Sequence, residues 1–340
     1  MNASSSGKSP SSPLLSVDGL TLEVRRNGVP VPIVEDVSFS VNRREVVAIV
    51  GESGCGKSTT ALSLMRILPP AIRIARGRIE LEGRDLLRLA EPEMRAIRGD
   101  SVAMIFQDPM TSLNPVLTIG EQMVEGIRSH RDISRRDAAE IAVDMLTRVR
   151  IPEPRKRLME YPHTLSGGMR QRIMIAMALS TQPKLLIADE PTTALDVTIQ
   201  LQILMLLKDL QHEFETGIVL ITHSIGVVAE VADRIVVLYA GRVVEQGRTR
   251  EVLGNPRHPY TRGLIASTPR FVRADPGERT RLIEIGGVVP ALGEKPPGCA
   301  FAPRCPQAAA ACRAQVPADV RLSETHQVAC ARVHELEAVA

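Results

Sequence analysis

Residues 45–58 read EVVAIVGESGCGKS. Within this stretch, Glu45 to Val50 is a continuous, largely β-branched run, which is typical of a strand buried on both faces of a sheet. The next six residues, Gly51 to Gly56, are rich in glycine, and a helical pattern runs from Lys57 to about Leu68, where Pro69-Pro70 stops it. A buried strand, a glycine loop and a helix in this order predict a parallel α/β core.

The glycine loop matches the pattern G-x-x-x-x-G-K-[ST] in the strand-to-helix context that the pattern requires. Glycines let backbone N–H groups turn inward around phosphates, and the helix N-terminus adds partial positive charge. We expect Lys57 to reach the β and γ phosphates of ATP, Ser58 to ligate Mg²⁺, and Cys55 to be a small packing residue. The predicted nucleotide-binding residues here are Gly51, Glu52, Ser53, Gly54, Cys55, Gly56, Lys57, Ser58 and Thr59.

Further strands and helices extend this core. Strand patterns cover 101–106, 185–188, 217–222 and 234–239, and a helical pattern covers 198–214. Residues 116–180 are mostly helical in pattern and are predicted to form an insertion. After about residue 255, Pro and Gly become frequent and the periodicity fades, which predicts a small C-terminal module.

An acidic pair ends one of the buried strands. Leu185 to Ala188 is apolar and is followed by Asp189 and Glu190. Phosphoryl transfer needs an acidic metal partner at a strand end, which suits Asp189. Glu190 is then placed to act as the general base for the attacking water. The alternative is that both carboxylates only cap the next helix.

The overall composition narrows the range of functions that the chain can have. The chain has 340 residues, 44% of them apolar and 2% aromatic, with a formal charge of +3. This small charge does not favour nucleic-acid binding. No apolar run approaches the roughly 20 residues of a membrane helix. Met1 to Pro13 lacks the apolar core of a signal peptide and is predicted to be a disordered lead-in, so we expect a protein that stays in the cytosol.

Four further elements resemble those of ABC ATPases. Leu165-Ser166-Gly167-Gly168-Met169 resembles the LSGGQ signature, with Met169 in place of Gln. Gln107 stands at the position of the Q-loop, His223 at that of the switch histidine, and Ala194-Leu195-Asp196 resembles the D-loop. The elements follow one another in the order of that family, and this part of the resemblance covers roughly residues 14–255.

The resemblance implies the fold and the site. The expected architecture is a P-loop NTPase ABC cassette, with a RecA-like parallel-sheet core, an antiparallel β subdomain and an inserted helical subdomain. The implied domains are the core at 14–107 and 181–255, the helical subdomain at 108–180 and the C-terminal module at 256–340. The resemblance implies catalytic roles for Glu190, His223 and Gln107, Mg²⁺ at Asp189, and contacts across a head-to-tail dimer from Ser166, Gly167, Gly168 and Asp196.

A narrower resemblance points to ATPases of dipeptide and oligopeptide (peptide/nickel) importers. It rests on residues 106–115 (FQDPMTSLNP), 165–172, 191–200 and 257–261 (RHPYT). It implies a second, paralogous ATPase subunit, because Met110-Thr111 resembles one of two such subunits. It also implies two membrane permeases, an extracytoplasmic solute-binding protein and a location on the cytoplasmic face of the bacterial inner membrane. Dipeptides, longer peptides, murein fragments, glutathione and nickel chelates all remain open as solutes.

Two positions depart from the family pattern. Residues 20–33 contain no aromatic residue to stack on adenine, so Val24 or Arg25 is expected to cover that face. Ser224 follows His223, where Asp is usual.

Four cysteines lie near the end of the chain, at Cys299, Cys305, Cys312 and Cys330, with five, six and seventeen residues between them. Zinc sites favour C-x₂₋₄-C pairs, which are absent here. Wider spacing suits an iron–sulfur cluster, and it resembles the C-terminal segment of peptide-importer ATPases, some of which hold a [4Fe–4S] cluster. Zinc and unligated thiols are the alternatives.

Other classes fit less well. A soluble, non-transport ABC ATPase of DNA repair would need long coiled coils, and one of translation would need two cassettes. An exporter half would usually carry its own membrane helices.

Overall fold

The computed structural model describes residues 12–108, 112–192, 197–268 and 284–335, so the first eleven residues of the expected lead-in lie outside it. Within these ranges the strands form two sheets. The strands are β1 (Leu15–Arg26), β2 (Val29–Val41), β3 (Val46–Val50), β4 (Ile72–Leu81), β5 (Arg84–Asp85), β6 (Val102–Ile105), β7 (Leu185–Asp189), β8 (Gly217–Ile221), β9 (Arg234–Tyr239), β10 (Arg242–Arg248), β11 (Val320–Arg321) and β12 (Gln327–Val328).

The helices of the described segments lie between these strands. They are α1 (Lys57–Leu64), α2 (Glu91–Ile97), α3 (Ile119–Arg128), α4 (Arg135–Arg148), α5 (Pro154–Arg157), α6 (Gly167–Leu179), α7 (Val197–Phe214), α8 (Ile225–Val231), α9 (Thr249–Gly254), α10 (Pro259–Ala266) and α11 (Ala310–Ala314). None of the described helices is both long enough and apolar enough to cross a bilayer.

The larger sheet has the strand order β11-β12-β10-β9-β3-β8-β7-β6. Strands β9, β3, β8, β7 and β6 run parallel. Every residue of β3, β7 and β8 is buried, since helices cover both faces of a parallel sheet. The α/β class predicted from residues 45–58 is therefore confirmed.

Helix α1 is shorter than the sequence predicts. It ends at Leu64 rather than at about Leu68, because Arg66 adopts a left-handed backbone with φ of 51°. The Arg66 guanidinium donates hydrogen bonds to the carbonyl oxygens of Leu86 (3.0 Å) and Leu89 (2.7 Å). These tertiary contacts stabilise a turn at Arg66, so the helix ends ahead of the Pro69-Pro70 pair that was expected to stop it.

The smaller sheet has the order β2-β1-β4-β5 and is antiparallel. Its inner face joins the side chains of β3 in one apolar cluster, which includes Leu20, Leu22, Val34 and Ile79. The sheet therefore packs directly on the strand that leads into the phosphate loop. This is the antiparallel β subdomain that the family resemblance implies.

The inserted segment is built on helices α3, α4 and α6, which share the main apolar cluster with one face of the core sheet. Side-chain caps start each of these helices. Thr118, Ser134 and Ser166 accept hydrogen bonds from the N–H groups of the third residue beyond them. Such caps contribute about 1 kcal/mol each.

The C-terminal residues join the core sheet. Strand β12 pairs antiparallel with β10, with Glu245 opposite Val328. The fully buried carboxylate of Glu245 accepts hydrogen bonds from the backbone N–H groups of Arg257 (2.8 Å) and His258 (2.9 Å). It also lies 2.8 Å from His326 Nε2. A domain boundary near 256 stays a prediction, but residues on its two sides form one continuous sheet.

Candidate active site

The phosphate loop requires glycine at two places. Gly51 has φ of 155°, and a Cβ added to it would lie 2.2 Å from the carbonyl oxygen of Leu238. Gly56 has φ of 101°, and its Cβ would lie 2.8 Å from a methyl group of Val34. The loop is therefore packed against strands of both sheets, and Gly56 is the N-cap of helix α1.

Lys57 lies inside the loop. Its side chain is buried, and its Nζ donates to the carbonyl oxygens of Gly51 (2.8 Å) and Glu52 (3.0 Å). Burial raises the pKa of the neighbouring Cys55 thiol. This shift keeps Cys55 protonated, in agreement with its interpretation as a packing residue.

A hydroxyl in the first turn of α1 bonds a carboxylate at the end of β7. Ser58 Oγ donates to Asp189 Oδ1 at 3.0 Å. Burial raises the pKa of Asp189, and the hydrogen bond from Ser58 opposes that shift. A hydroxyl and a carboxylate oxygen are hard donors of the kind that Mg²⁺ takes beside substrate phosphates.

Glu190 brings the predicted catalytic residues together. Gln107 Nε2 donates to Glu190 Oε2 at 3.1 Å, and His223 Nδ1 lies 3.4 Å from Glu190 Oε1. The Glu190 backbone has φ of 45°, and its N–H donates to Ile221 O at 2.9 Å.

The topology explains why these side chains meet. Gln107 follows β6, Asp189 ends β7 and His223 follows β8, while β3 leads into the phosphate loop. These four strands are parallel, so their carboxyl ends lie along one edge of the sheet. Ligands bind outside this edge in open parallel sheets.

The signature residues lie apart from this edge, on the helical segment. Ser166 is exposed and caps α6, and its Oγ accepts from the N–H of Met169 at 3.3 Å. Gly167 and Gly168 begin the same helix. Gly167 and Gly168 are half-buried, and the start of a helix carries partial positive charge that can bind an anion. Asp196 of the D-loop, with Ala194 and Leu195, lies outside the described residues, as do Met110 and Thr111.

The structure shows what surrounds the two positions at which the sequence departs from the family pattern. Val24 is half-buried and Arg25 is exposed on β1. Next to them, the Arg26 guanidinium donates to Leu292 O at 3.1 Å, so the C-terminal segment adjoins the expected adenine face. Ser224 occupies the N-cap position of α8 without a side-chain cap, while its N–H donates to Thr222 Oγ1 at 3.1 Å.

The four C-terminal cysteines line one small cavity of about 20 Å³, together with His258 and Phe301. All are free thiols. Burial raises the pKa of Cys299, Cys305 and Cys330. Over the described ranges, no set of three or more His, Cys, Asp or Glu side chains is arranged to hold a metal ion. This finding supports neither zinc nor an iron–sulfur cluster.

Sequence reasoning missed two contacts of the phosphate loop, both at Glu52. Arg304, close before Cys305, forms a bidentate ion pair with the Glu52 carboxylate. Tyr260 Oη accepts a hydrogen bond from the Glu52 N–H at 2.9 Å. Tyr260 belongs to the RHPYT segment, and this was the only sequence signal for these contacts.

Comparisons with known proteins agree with this geometry. A family profile described as "ABC transporter" matches residues 34–193, and one described as "Oligopeptide/dipeptide transporter, C-terminal region" matches residues 244–312. A putative peptide import ATP-binding protein of Brucella abortus (strain 2308) is 52% identical over 96% of this chain and 99% of its own length. The dipeptide transport ATP-binding protein DppD of Escherichia coli (strain K12) is 48% identical over 93% of this chain and 96% of its own.

Solved structures with a similar fold include two ABC proteins. An ATP-binding cassette solved as a dimer in a post-hydrolysis state with ADP and Pi has a TM-score of 0.62 and is 27% identical. The match covers 69% of this chain and 99% of that one. The cbiO1 protein of Clostridium perfringens, part of an ABC transporter complex, has a TM-score of 0.61 at 28% identity, with 71% and 90% of the two chains covered.

Proposed function

The chain belongs to the ATP-binding subunits of peptide-importing ABC transporters, and from this premise we propose that it hydrolyses ATP to drive the uptake of dipeptides or oligopeptides. The observation that carries the proposal is the convergence of Gln107, Glu190 and His223 beside the Ser58–Asp189 pair at the mouth of the phosphate loop. A soluble, non-transport ABC ATPase is not favoured, since the relatives and the C-terminal profile are those of transport proteins.

Each residue has a chemical role in this proposal. The loop from Gly51 to Thr59 and the Lys57 ammonium bind the β and γ phosphates. Ser58 and Asp189 would hold Mg²⁺, which would neutralise phosphate charge. Glu190 accepts the proton of the attacking water, and Gln107 and His223 orient Glu190 and the γ-phosphate end of the nucleotide.

The site needs a second cassette. Ser166 is exposed at the start of α6, followed by the half-buried Gly167 and Gly168. We assign these three residues to the nucleotide of a partner subunit in a head-to-tail dimer, with Asp196 at the interface. We assign the partner to a second, paralogous ATPase. The pair would act with two membrane permeases and an extracytoplasmic solute-binding protein, at the cytoplasmic face of the bacterial inner membrane. Nucleic acid has no part in this function.

We also propose that Cys299, Cys305, Cys312 and Cys330 hold a [4Fe–4S] cluster rather than zinc. The support is the donor set, since all four thiols line one cavity. The cavity that the four thiols line has a volume of about 20 Å³. It must therefore widen before it can hold a cluster. A bound metal would deprotonate these thiols and clip the C-terminal residues together.

The cluster proposal predicts iron in the purified protein. We expect about four iron and four sulfide per chain after anaerobic purification, with a broad absorption band near 400 nm. Cys305→Ser should lose the band, and Cys55→Ser, which changes a thiol outside the cavity, should keep it. Zinc, or no metal, would contradict the cluster and leave the ATPase proposal intact.

The transport proposal predicts a specific uptake defect. A strain lacking this subunit should lose uptake of labelled di- or tripeptides, because the permeases cannot alternate without ATP turnover. Expression of the wild-type chain should restore uptake, and expression of the Glu190→Gln variant should not. Normal peptide uptake in the deletion strain, with loss of nickel-chelate, murein-fragment or glutathione uptake instead, would contradict peptides as the substrate.

A further inference from the structure

Glu52 of the phosphate loop is held by two residues from the far end of the chain. Arg304 Nη1 donates to Glu52 Oε2 at 2.7 Å, and Arg304 Nη2 donates to Oε1 at 3.0 Å. Tyr260 Oη accepts from the Glu52 N–H at 2.9 Å. The side chain and the backbone of this loop residue are therefore both tied to residues beyond 255.

Arg304 is rigidly placed for this contact. Its side chain is 3% exposed. Its remaining donors bond the carbonyl oxygens of Gly286 (Nε, 2.9 Å) and Ile285 (Nη2, 3.0 Å). Its guanidinium also lies 5.7 Å from the ring centre of Tyr239 and 5.9 Å from that of Phe301. An arginine with this many partners loses no further freedom when it pairs with Glu52.

The same turn carries Arg304 and two of the clustered cysteines. The Arg304 N–H donates to Phe301 O at 2.9 Å, and the Cys305 N–H donates to Ala302 O at 3.4 Å. Cys299 begins this turn, and its N–H donates to Cys312 O at 2.8 Å. The turn that lines the cysteine cavity therefore also presents the guanidinium to the phosphate loop.

Tyr260 is also linked to the cysteine cavity, through His258. Its N–H donates to His258 Nδ1 at 3.0 Å. His258 is fully buried, lines the cysteine cavity and lies 5.8 Å from Phe301, ring centre to ring centre. Two separate sets of contacts, one through Arg304 and one through Tyr260, thus link the wall of the cysteine cavity to Glu52.

We propose that Arg304, supported by Tyr260, is a positioning residue for nucleotide binding, and that the C-terminal module sets the shape of the phosphate loop through Glu52. A phosphate loop binds by directing its backbone N–H groups inward, so holding Glu52 pre-organises the loop for phosphate. The hydrogen bonds of this ion pair are charge-assisted and bidentate, which makes them stronger and more specific in geometry than neutral hydrogen bonds. The inference holds whether or not the cysteines carry a cluster.

The test is calorimetric titration of the purified full-length chain with ADP and Mg²⁺, which involves no hydrolysis. Arg304→Met should weaken ADP binding about tenfold, within the usual range for coupled sites. The matched control is Arg313→Met, which changes an exposed arginine of the same module. It should bind ADP as the wild type does.

A thermodynamic cycle separates positioning from general destabilisation. Glu52→Gln tests the same contact from the loop side and should also weaken binding, even if Arg304→Met fails to fold. In the Glu52→Gln background, Arg304→Met should cause little further loss, because the two residues act as a unit. An unchanged ADP affinity in the single variants, or a full additional tenfold loss in the double variant, would overturn the proposal.

Discussion

Replacing Glu190 with Gln should lower ATP hydrolysis by the assembled transporter about 100- to 10,000-fold, the usual contribution of a general base, while ATP binding is retained. The amide has nearly the shape of the carboxylate and can still bond Gln107, which lies 3.1 Å from Glu190 Oε2. It cannot accept a proton from water. Phosphate release by the reconstituted transporter, with ATP titration of the same sample, measures both quantities.

The matched control for this variant is Glu230→Gln, which changes an exposed carboxylate on helix α8. Its hydrolysis rate should equal that of the wild type. If Glu190→Gln hydrolyses ATP at the normal rate, Glu190 is not the base. The acidic pair 189–190 would then serve the metal and the fold alone.

Replacing Lys57 with Ala should abolish tight nucleotide binding. Truncating one partner of a buried, hydrogen-bonded charge pair costs about 2–5 kcal/mol, which corresponds to about 30- to 5,000-fold in affinity. The Lys57 ammonium also donates to the carbonyl oxygens of Gly51 and Glu52, so its loss leaves loop acceptors without their donor. Calorimetric titration with ATP and Mg²⁺ on the full-length chain measures the effect.

Lys156→Ala is the control for this change, because Lys156 is exposed on the helical segment and its ammonium pairs with Glu153 at the surface. ATP affinity should not change in that variant. An unchanged affinity in Lys57→Ala would mean that the loop at 51–58 does not bind the phosphates of ATP. Such a result would reject the central assignment of the site.

Local sequence was sufficient for the core of the fold. The strand Val46–Val50, the start of helix α1 at Lys57 and the strand Arg234–Tyr239 lie where the sequence predicts them. Continuous apolar β-branched runs leave few choices for the backbone, and glycine and proline mark the ends of elements.

Sequence motifs identified the residues of the candidate site, but the strand order of the sheet determines which of them lie close together. Gln107 and Glu190 are 83 residues apart in sequence, and they bond because β6 and β7 are neighbours in the parallel sheet. Spacing along the chain contains no information on which strands become neighbours. The family resemblance supplied that order, and the sheet supplies the physical cause.

The amino-acid sequence by itself determined the buried strand, the phosphate loop, the acidic strand end and the family, because each rests on short-range patterning or on an ordered set of motifs. Only the tertiary structure decided the early end of α1 at Leu64, the pairing of β12 with β10 and the contact of Arg304 with Glu52. Arg304 and Glu52 are separated by 252 residues, and each lies in a stretch whose local pattern gives no sign of the other. Such contacts form when folding brings distant surfaces together, and their energy comes from burial and charge pairing that a linear pattern cannot specify.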